Sequence, residues 1–387
     1  MGKVPKLRFE GFTGEWEEKK LGELSDFITK GATPTTYGFD WVEQGIPFFR
    51  NDSLKDNRFV FGDYSYISEE ANQMISRSEI QGDDILVAIT GDIGKVGIVP
   101  EVIKKGNINQ HMARVRIVRD AHPYFVYQLL STNEYQNNYH RIKTGLSMPQ
   151  LSLEQIRATV LYLPLYKEQK KVGVLLKNLD YVFTLHQRKL DALQEAKKFY
   201  LQNLFPRKGE KKPRLRFEGF SGEWEEKRMN EFVIYSSSAL SAKDAKDNGI
   251  YDLYDANHVI GKTNNTPFNT DYISIIKDGA GIGRIRKLSK NTMIIGTMGA
   301  IQAHYSDINF VFALMSGEDF AKNASGSTIP HIYFKDYGKK QYFIPTIVEQ
   351  QILGQFFIDL DNLITTQQRK LETLKRLKQF MLQNLFV

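Results

Sequence analysis

The sequence predicts a mixed α/β protein with two globular domains joined by two long helices, which pair as an antiparallel coiled coil in a pseudo-twofold internal repeat. Three observations support this fold class. A helical stretch at 168–205 recurs without a gap at 349–386. Nearly identical segments open the two halves, at 7–19 and 215–227. The regions between these repeats mix strand and helix patterns, which indicates two copies of one unit with variable middles.

The long helices are predicted from apolar residues that recur alternately three and four positions apart over about four heptads. Matching polar residues interrupt the two copies, His186 with Gln367 and Lys197 with Lys378. These matching interruptions favour one helix packing on the other, against the alternative of two unrelated amphipathic helices on separate domains. The predicted seam consists of Val172, Leu176, Leu179, Phe183, Leu190, Leu193, Tyr200 and Leu204 in the first copy and Leu353, Phe357, Leu360, Ile364, Leu371, Leu374, Met381 and Leu385 in the second.

The repeats also set the predicted domain boundaries. The linker between the halves is basic and contains prolines, so it is either a solvated tether or a non-specific phosphate contact. The predicted boundaries are a first variable domain at 1–164, a long helix at 165–206, the basic linker at 207–214, a second variable domain at 215–345 and a second long helix at 346–387.

Local patterns predict the elements of each variable domain. Arg114 and Arg116 alternate with apolar residues, which places both on one face of a strand. Ser152 and Gln155 have the spacing of a capping box. In the first domain we expect strands at 84–89, 96–99, 113–118 and 158–163, a turn at 90–94 and a helix at 124–139. In the second we expect strands at 272–276 and 292–295, a tight turn at Gly279, Gly281 and Gly283, and further glycines that punctuate the region at Gly296 and Gly299.

Composition narrows the function classes. The chain of 387 residues has a net charge of +7, which is compatible with nucleic acid without requiring it. It has no cysteine, which excludes disulfides, thiolate metal sites and cysteine nucleophiles. No apolar run has the length of a membrane span, and the first residues lack the apolar core of a signal peptide. We therefore expect a cytoplasmic protein with no membrane contact.

Motifs for catalysis are incomplete. Residues 256–263 resemble a phosphate-binding loop, but Ala256 stands where glycine is required. The seven histidines are scattered without metal-ligand spacing, and neither a Gly-x-Ser-x-Gly motif nor a Pro-Pro dipeptide occurs. We therefore expect a binding protein with no catalytic residue and no bound metal.

Two similar units on one chain tend to pack as two subunits do, around a twofold axis, which makes the helix pair antiparallel. A helix of about 38 residues is about 57 Å long, so the pair is expected to hold two dissimilar binding surfaces at a fixed spacing. A DNA duplex is a ligand with such spacing, since two-domain proteins address half-sites about 34 Å or a multiple apart.

Several motifs then carry a family resemblance. Trp16 and Trp224 each lie in a Glu-Trp-Glu-Glu-Lys context, and both long helices end in Leu-Gln-Asn-Leu-Phe. Glu-Gln opens both repeats, and segments of the form Gly-x-[Ser/Thr]-x-Pro occur at 145–149 and 326–330. The first domain also has Gly-Ala-Thr-Pro at 31–34 and Ile-Asn-Gln at 108–110. In order and duplication these motifs resemble, over the whole chain, the specificity subunit of type I restriction–modification systems.

The resemblance implies two target-recognition domains, each of which reads one half of a bipartite, asymmetric sequence in double-stranded DNA. It implies a subunit with no activity or cofactor of its own. The implied partners are two methyltransferase subunits, which use S-adenosylmethionine to methylate adenine, and restriction subunits, which use ATP and Mg. The second variable domain departs from the pattern, since it is shorter and its glycines are placed differently.

Candidate DNA-contacting residues are those with side chains that hydrogen-bond base edges or phosphates. For several of them a structural role is an open alternative. Residues 50–53 would then form a surface turn, residues 109–111 a buried turn, and one of Arg114 and Arg116 would stabilise the fold. The candidates are Arg50, Asn51, Ser53, Lys95, Asn109, Gln110, Arg114, Lys143 and Ser147 in the first domain, and Asn257, His258, Lys262, Asn264, Arg284, His304 and Thr328 in the second.

Two other functions are consistent with parts of the sequence. One is a scaffold, in which a coiled-coil spacer carries two protein-binding domains. Steep salt dependence of duplex binding distinguishes DNA recognition from the scaffold. The other is a self-sufficient enzyme such as a nuclease, which sequence-specific cleavage by the purified chain with a metal ion would identify.

Overall fold

The structure is a computed structural model, and it describes residues 4–118, 120–145, 149–207, 209–326 and 330–387. The chain divides into two compact units. Unit 1 comprises residues 1–185 and 371–387, and unit 2 comprises residues 186–370. The divisions fall within both long helices, so each unit combines one variable domain with the first part of one helix and the last part of the other. The predicted domain boundaries remain predictions.

Unit 1 contains the first variable domain. Single 3₁₀ turns occur at Pro34–Tyr37, Asn51–Ser53 and Ser76–Ser78. The helices and strands are, in chain order, β1 (Glu17–Lys20), α1 (Leu21–Leu24), β2 (Ser25–Lys30), β3 (Ile46–Phe49), β4 (Leu54–Lys55), β5 (Arg58–Phe59), β6 (Ser65–Ile67), α2 (Glu69–Met74), β7 (Ile85–Ala88), β8 (Val96–Ile98), β9 (Asn107–Ile108), β10 (Met112–Ile117), α3 (Pro123–Leu130), α4 (Asn133–Ile142), α5 (Leu153–Arg157) and β11 (Val160–Leu163).

The main sheet of unit 1 has the strand order β2-β10-β7-β8, and every pair in it is antiparallel. A smaller sheet has the order β6-β3-β9, in which β3 and β9 are parallel. Strand β1 pairs with β11 directly before the first long helix. The main core is formed by the inner face of the large sheet, by α3 and by the helix segments of the unit.

Between the variable domains, the first long helix is α6 (Tyr166–Asn203). Unit 2 contains the second variable domain, with 3₁₀ turns at Ala242–Asp244 and Phe320–Asn323. Its helices and strands are β12 (Glu225–Arg228), α7 (Met229–Phe232), β13 (Val233–Ser237), β14 (Tyr251–Tyr254), β15 (Val259–Thr263), β16 (Tyr272–Ile276), β17 (Ile285–Leu288), β18 (Thr292–Ile294), β19 (Met298–Ala303), α8 (Ile308–Ser316), α9 (Phe334–Tyr337), β20 (Gln341–Ile344) and the second long helix α10 (Ile347–Asn384), which continues into unit 1.

The two variable domains share one topology although their sequences differ. The main sheet of unit 2 has the order β13-β19-β16-β17, and the smaller sheet has the order β15-β14-β18 with β14 and β18 parallel. Strand β12 pairs with β20 as β1 pairs with β11. The predicted mixed α/β class with two similar domains and two long helices is therefore confirmed. The turn with Gly279, Gly281 and Gly283 lies between β16 and β17, as the turn with Gly91 and Gly94 lies between β7 and β8.

Within each unit the two helix segments run in opposite directions. In unit 1, the Nζ of Lys378 lies 2.6 Å from the Oδ1 of Asp180, while Leu385 and Phe386 share a core with Leu176. In unit 2, the Nζ of Lys197 lies 2.5 Å from the Oδ1 of Asp361. The rings of Tyr200 and Phe356 are 4.9 Å apart. The two ion pairs are equivalent under the repeat, since each joins a lysine late in one helix to an aspartate early in the other.

All positions predicted for the seam are buried or half-buried. The polar interruption at the middle contains Gln367, whose side chain is 4% exposed. Its Nε2 donates to the main-chain oxygen of His186 at 3.0 Å and lies 2.5 Å from the Nδ1 of that residue. The interruption is therefore a polar contact between the two helices in unit 2, and its buried amide is hydrogen-bonded.

The repeated opening segments attach to the helices through buried ion pairs. In unit 1, Nε and Nη2 of Arg8 each donate to the carboxylate of Glu168 at 2.8 Å. In unit 2, Arg216 binds Glu349 with the same two distances. Glu168 and Glu349 are almost fully buried, which explains why the sequence repeats this arginine and this glutamate in both halves.

The ends of the long helices complete the cores of the units. The ring of Phe386 lies 6.4 Å from Trp16 and 5.1 Å from Phe125. Phe205 makes the equivalent contacts in unit 2, at 6.3 Å from Trp224 and 5.6 Å from Phe310. The repeated order of residues at the two helix ends thus places one buried aromatic ring in each variable domain.

One predicted element is wrong. The helix expected at 124–139 is two helices, α3 and α4, which are separated at Ser131 and Thr132. The hydroxyls of these two residues donate to the main-chain oxygens of Tyr127 and Leu129 at 2.8 Å. Such local bonds compete with helix continuation, and Thr132 then starts α4 with an extended backbone.

Candidate nucleic-acid interface

The first component of the candidate site in unit 1 is the turn between β7 and β8. Gly91 and Gly94 have φ angles of +68° and +85°, a region that glycine enters without strain. The amide of Gly94 donates to the main-chain oxygen of Ala88 at 2.8 Å and closes the turn. Lys95 follows it and is half-exposed, and its Nζ lies 2.6 Å from Asp92. Its charge is therefore partly balanced by a neighbour on the same turn.

The second component is the loop after β3, which packs against this turn. The Nδ2 of Asn51 donates to the main-chain oxygen of Thr90 at 2.8 Å. Arg50 donates to the hydroxyl of Ser65 at 2.9 Å, and its guanidinium lies 4.9 Å from the ring of Trp41. Ser53 is only 1% exposed, so in this conformation it stabilises the loop and does not reach a ligand.

The third component is the segment 109–111 between β9 and β10. The Nδ1 of His111 lies 2.7 Å from the hydroxyl of Thr90, and its Nε2 lies 3.2 Å from the side-chain Nε2 of Gln110. Gln110 is exposed and also bonds the hydroxyl of Thr33. Asn109 is 8% exposed and its Oδ1 accepts the amide of His111, so it holds the turn.

The three loops therefore meet at Thr90, which contacts both Asn51 and His111. The loops that carry Asn51 and Gln110 are thereby brought together at Thr90. Thr33 and Thr90 were not among the predicted residues. Their signal in the sequence was the pair of glycine-containing motifs, Gly-Ala-Thr-Pro at 31–34 and Thr-Gly at 90–91, which mark tight loops whose threonines face a neighbouring loop.

The alternating arginines of β10 are structural. Arg114 is 2% exposed, lies 4.2 Å from the ring of Phe27 and donates to the main-chain oxygen of Glu79, and burial lowers its pKa. Arg116 donates through Nε and Nη2 to buried Asp84, at 2.7 Å each, and this hydrogen bond raises its pKa. Arg114 was expected to contact DNA, but its side chain is enclosed by the domain and has a structural role instead.

The remaining candidates of unit 1 lie around residues 143–150. Lys143 is exposed after the end of α4. Thr144 and Thr90 each form an isolated β-bridge with Gln150, so this segment packs against the glycine turn. Ser147 lies outside the described residues, as Thr328 does at the equivalent place of unit 2. There, Asp278 and Ser325 bridge to His331 in the same way.

In unit 2 the turn between β16 and β17 has three glycines, Gly279, Gly281 and Gly283, with φ angles of +83°, +79° and +80°. It is followed by Arg284, whose Nη2 donates to the main-chain oxygen of Ala256 at 2.6 Å and to the Oδ1 of Asn257 at 2.7 Å. The loop after β14 thus contacts the glycine turn, as the loop after β3 does in unit 1.

The other candidates of unit 2 are dispersed. His258 is exposed and its amide donates to Asp255 at 2.7 Å. Lys262 is exposed on β15, and Asn264 follows that strand and accepts the amide of Ile250 at 3.1 Å. His304 follows β19 at the end opposite to the glycine turn, where its amide bonds Phe232. His304 is therefore not part of the surface formed by Asn257 and Arg284.

Across the described residues, no group of three or more acidic or histidine side chains is arranged to hold a metal ion. The described helices also include none with the length and apolarity of a membrane span.

Comparisons with known proteins agree with this architecture. A family model for the type I restriction modification DNA specificity domain matches residues 13–195 and 221–376. The MjaVIII specificity subunit of Methanocaldococcus jannaschii is 22% identical over 94% of this chain and 90% of its own length. The EcoBI specificity subunit of Escherichia coli is 28% identical over 41% of this chain, and the match spans only 33% of that relative.

A solved structure has the same fold over the full length. The S subunit of a type I restriction–modification system from M. genitalium superposes with a TM-score of 0.73 at 16% identity, and the match covers 99% of both chains. The doubled sheet topology, the paired long helices and the two matched regions lead to one conclusion: this chain belongs to the type I restriction–modification specificity subunit family.

Proposed function

We propose that each variable domain of this specificity subunit reads one half of a split, asymmetric sequence in double-stranded DNA. One observation carries the proposal: in both units, the loop after the central strand of the small sheet is hydrogen-bonded to the glycine turn of the large sheet. The polar residues at this junction differ between the units. Two dissimilar half-sites require different hydrogen-bonding groups, and here the two domains present such groups on the same arrangement of strands and loops.

In this proposal the helix pair sets the spacing between the half-sites and docks the partner subunits. The partners are two methyltransferase subunits, which use S-adenosylmethionine, and restriction subunits, which use ATP and Mg. The chain itself contributes recognition, with no catalytic residue and no cofactor. The matched ion pairs of the helices, Asp180 with Lys378 and Lys197 with Asp361, support a fixed register along the pair.

The test is methylation in a living cell. The chain is co-expressed with its methyltransferase subunit in a host without adenine methylation, and modified adenines are mapped over the genome. We expect one split motif with one methylated adenine on each strand. A continuous motif, or methylation without sequence preference, would contradict the proposal. In a second arm, residues 21–164 are replaced by those of another family member, which should change only one half of the motif.

Salt dependence separates DNA recognition from a protein scaffold. Binding of the purified chain to duplex DNA should weaken steeply with salt, with a logarithmic slope of roughly 0.9 for each phosphate contact. Salt-independent or undetectable duplex binding, with intact partner association, would favour the scaffold.

A further inference from the structure

Arg286 of unit 2 is an exposed arginine, and two of its guanidinium donors, Nε and Nη2, have no partner among the described residues. It lies on β17, an edge strand of the large sheet. Its Nη1 donates to the main-chain oxygen of Asn257 at 3.2 Å, and its guanidinium lies 5.0 Å from the ring of Tyr254. Within the described residues, its Nε and Nη2 have no hydrogen-bond partner, and no carboxylate lies within ion-pair distance.

The unused edge is the one that binds two acceptors at once. Elsewhere in this protein, Arg8, Arg116 and Arg216 use Nε and Nη2 together to bind both oxygens of a carboxylate. In the exposed side chain of Arg286 the same pair of donors has no partner among the described residues, while Nη1 contacts Asn257 and the guanidinium lies over the ring of Tyr254. A guanidinium oriented in this way loses little conformational freedom when it binds two parallel acceptors.

Arg284 is different, although it lies two residues earlier and is also exposed. Its Nη2 already donates to two oxygens of the loop, on Ala256 and Asn257. The paired donor edge is therefore occupied, and Arg284 acts as a positioning residue that holds the loop. Both arginines border a cleft of about 250 Å³ whose other lining residues include Ser274, Ile276 and Met298.

Unit 1 has no arginine at the equivalent position. Gly94 and Gly283 occupy equivalent places, since each donates its amide to the residue that ends the preceding strand. Counting from them, Gly97 stands where unit 2 has Arg286. A Cβ at Gly97 would lie 2.6 Å from the Leu54 side chain and 2.9 Å from the Phe59 amide nitrogen, so an arginine has no space there.

We propose that Arg286 reads a guanine in the half-site bound by unit 2, donating from Nε and Nη2 to the guanine O6 and N7 in the major groove. Guanine is the base that presents two adjacent acceptors to such an edge. The inference rests on the proposed function and adds to it the base, the residue and the half-site. Asn257 and Tyr254 orient the guanidinium, and Arg284 keeps the loop in place.

The experiment is a selection of bound sequences from a pool of randomised DNA duplexes, using the full chain in complex with its methyltransferase subunit. Arg286→Ala should remove the preference for one G·C pair in one half of the motif. Binding to the original sequence should fall roughly 5- to 150-fold, the range of one bidentate contact. Arg286→Gln should shift the preference at that position from guanine to adenine, since glutamine pairs with adenine N6 and N7.

Lys262→Ala is the matched control, since it removes one exposed positive charge from the same domain. We expect it to weaken binding evenly over all sequences and leave the preferred motif unchanged. Loss of the guanine preference in Lys262→Ala, or full retention of it in Arg286→Ala, would overturn the inference. A wild-type motif with no guanine in the half that responds to unit 2 would also overturn it.

Selection of no sequence by the wild-type complex would refute the proposed function itself, which is a separate result. Thermal unfolding of each variant shows whether it is folded. If Arg286→Ala is unfolded, Arg286→Gln still tests the inference. A shift in preference from guanine to adenine would arise neither from loss of a phosphate contact nor from loss of a purely structural role.

Discussion

At the scale of single residues, the most informative contacts are the buried ion pairs that appear once in each half. The carboxylate of Glu168 is 1% exposed and receives both donors of Arg8. Removal of one partner from such a pair is costly, because the other charge remains buried without compensation. An exposed ion pair contributes little, because solvent already screens it.

We therefore predict that Glu168→Gln lowers the free energy of unfolding of unit 1 by about 3 kcal/mol. Urea denaturation followed by tryptophan fluorescence measures it, since Trp16 lies in the same core. The matched control is Glu101→Gln, which removes an exposed partner of Lys177 and should change stability little. Equal effects of the two substitutions would show that burial of the pair does not govern its contribution.

The residue scale is also where sequence reasoning reached least far. The loops of Asn51 and Gln110 lie together at Thr90, but Ser53, Asn109 and Arg114 are buried. A polar residue in a loop has the same sequence signal whether it holds the loop or faces a ligand. Only the neighbours decide, and those of Arg114, namely Phe27 and Glu79, are distant in sequence. Arg286 and Arg284 alternate with apolar residues in the sequence, but the orientation of the Arg286 guanidinium depends on Asn257, 29 positions away.

At the scale of elements, the long helices were the most predictable feature. A heptad pattern is local and repeats many times, so single exceptions do not obscure it. The predicted helix at 124–139 failed because two hydroxyl residues suffice to end a helix. The shared sheet order of the two domains was beyond sequence reasoning, because strand pairing joins segments that are far apart and differ in sequence between the halves.

The ion pair between Lys197 and Asp361 offers a direct test of antiparallel helix pairing in unit 2. Asp361→Lys should destabilise the unit by roughly 1 kcal/mol, since it places two ammonium groups together. The exchanged double variant, Lys197→Asp with Asp361→Lys, should recover most of that loss. Chemical denaturation of the four proteins gives the coupling energy.

The control for this cycle is the pair Glu372 and Arg376, which lie four residues apart on the same helix and are largely exposed. Exchange of these charges tests a contact within one helix and should give a small coupling of about 0.3–0.5 kcal/mol. If the cycle at Lys197 and Asp361 gives no larger coupling than this control, the two side chains are not paired across the helices in solution.

At the scale of the whole molecule, the opening segment of each half bonds to the end of a long helix within its own unit. The amide of Leu7 donates to the main-chain oxygen of Asn384 at 2.8 Å, and Leu215 donates to Asn203 at 2.9 Å. The basic linker joins the two segments that make the second contact. The first contact is the equivalent hydrogen bond, but no linker joins its two segments in this sequence. The contacts of either unit therefore do not require this order of the halves along the chain.

A circular permutant tests this. We predict that joining residue 387 to residue 4 through a copy of residues 206–214, and opening the chain within that original linker, gives a folded protein. It should select the same DNA sequences as the parent chain. The control is the same junction with the opening placed in the middle of α10, which interrupts the helix. A permutant opened in the linker that is unfolded, by circular dichroism, would contradict the prediction.

The closure of unit 1 by residues 371–387 also bears on biosynthesis. The aromatic cluster of Trp16 and Phe125 is completed by Phe386, which the ribosome adds more than 180 residues after Leu185. At 5–20 residues per second, the nascent first domain waits roughly 10–40 s with this surface open. The second domain has no such wait, because Phe205 is made before it. We therefore expect newly synthesised chains to be most prone to aggregation or chaperone capture at the first domain, although Phe386 and Phe205 make equivalent native contacts.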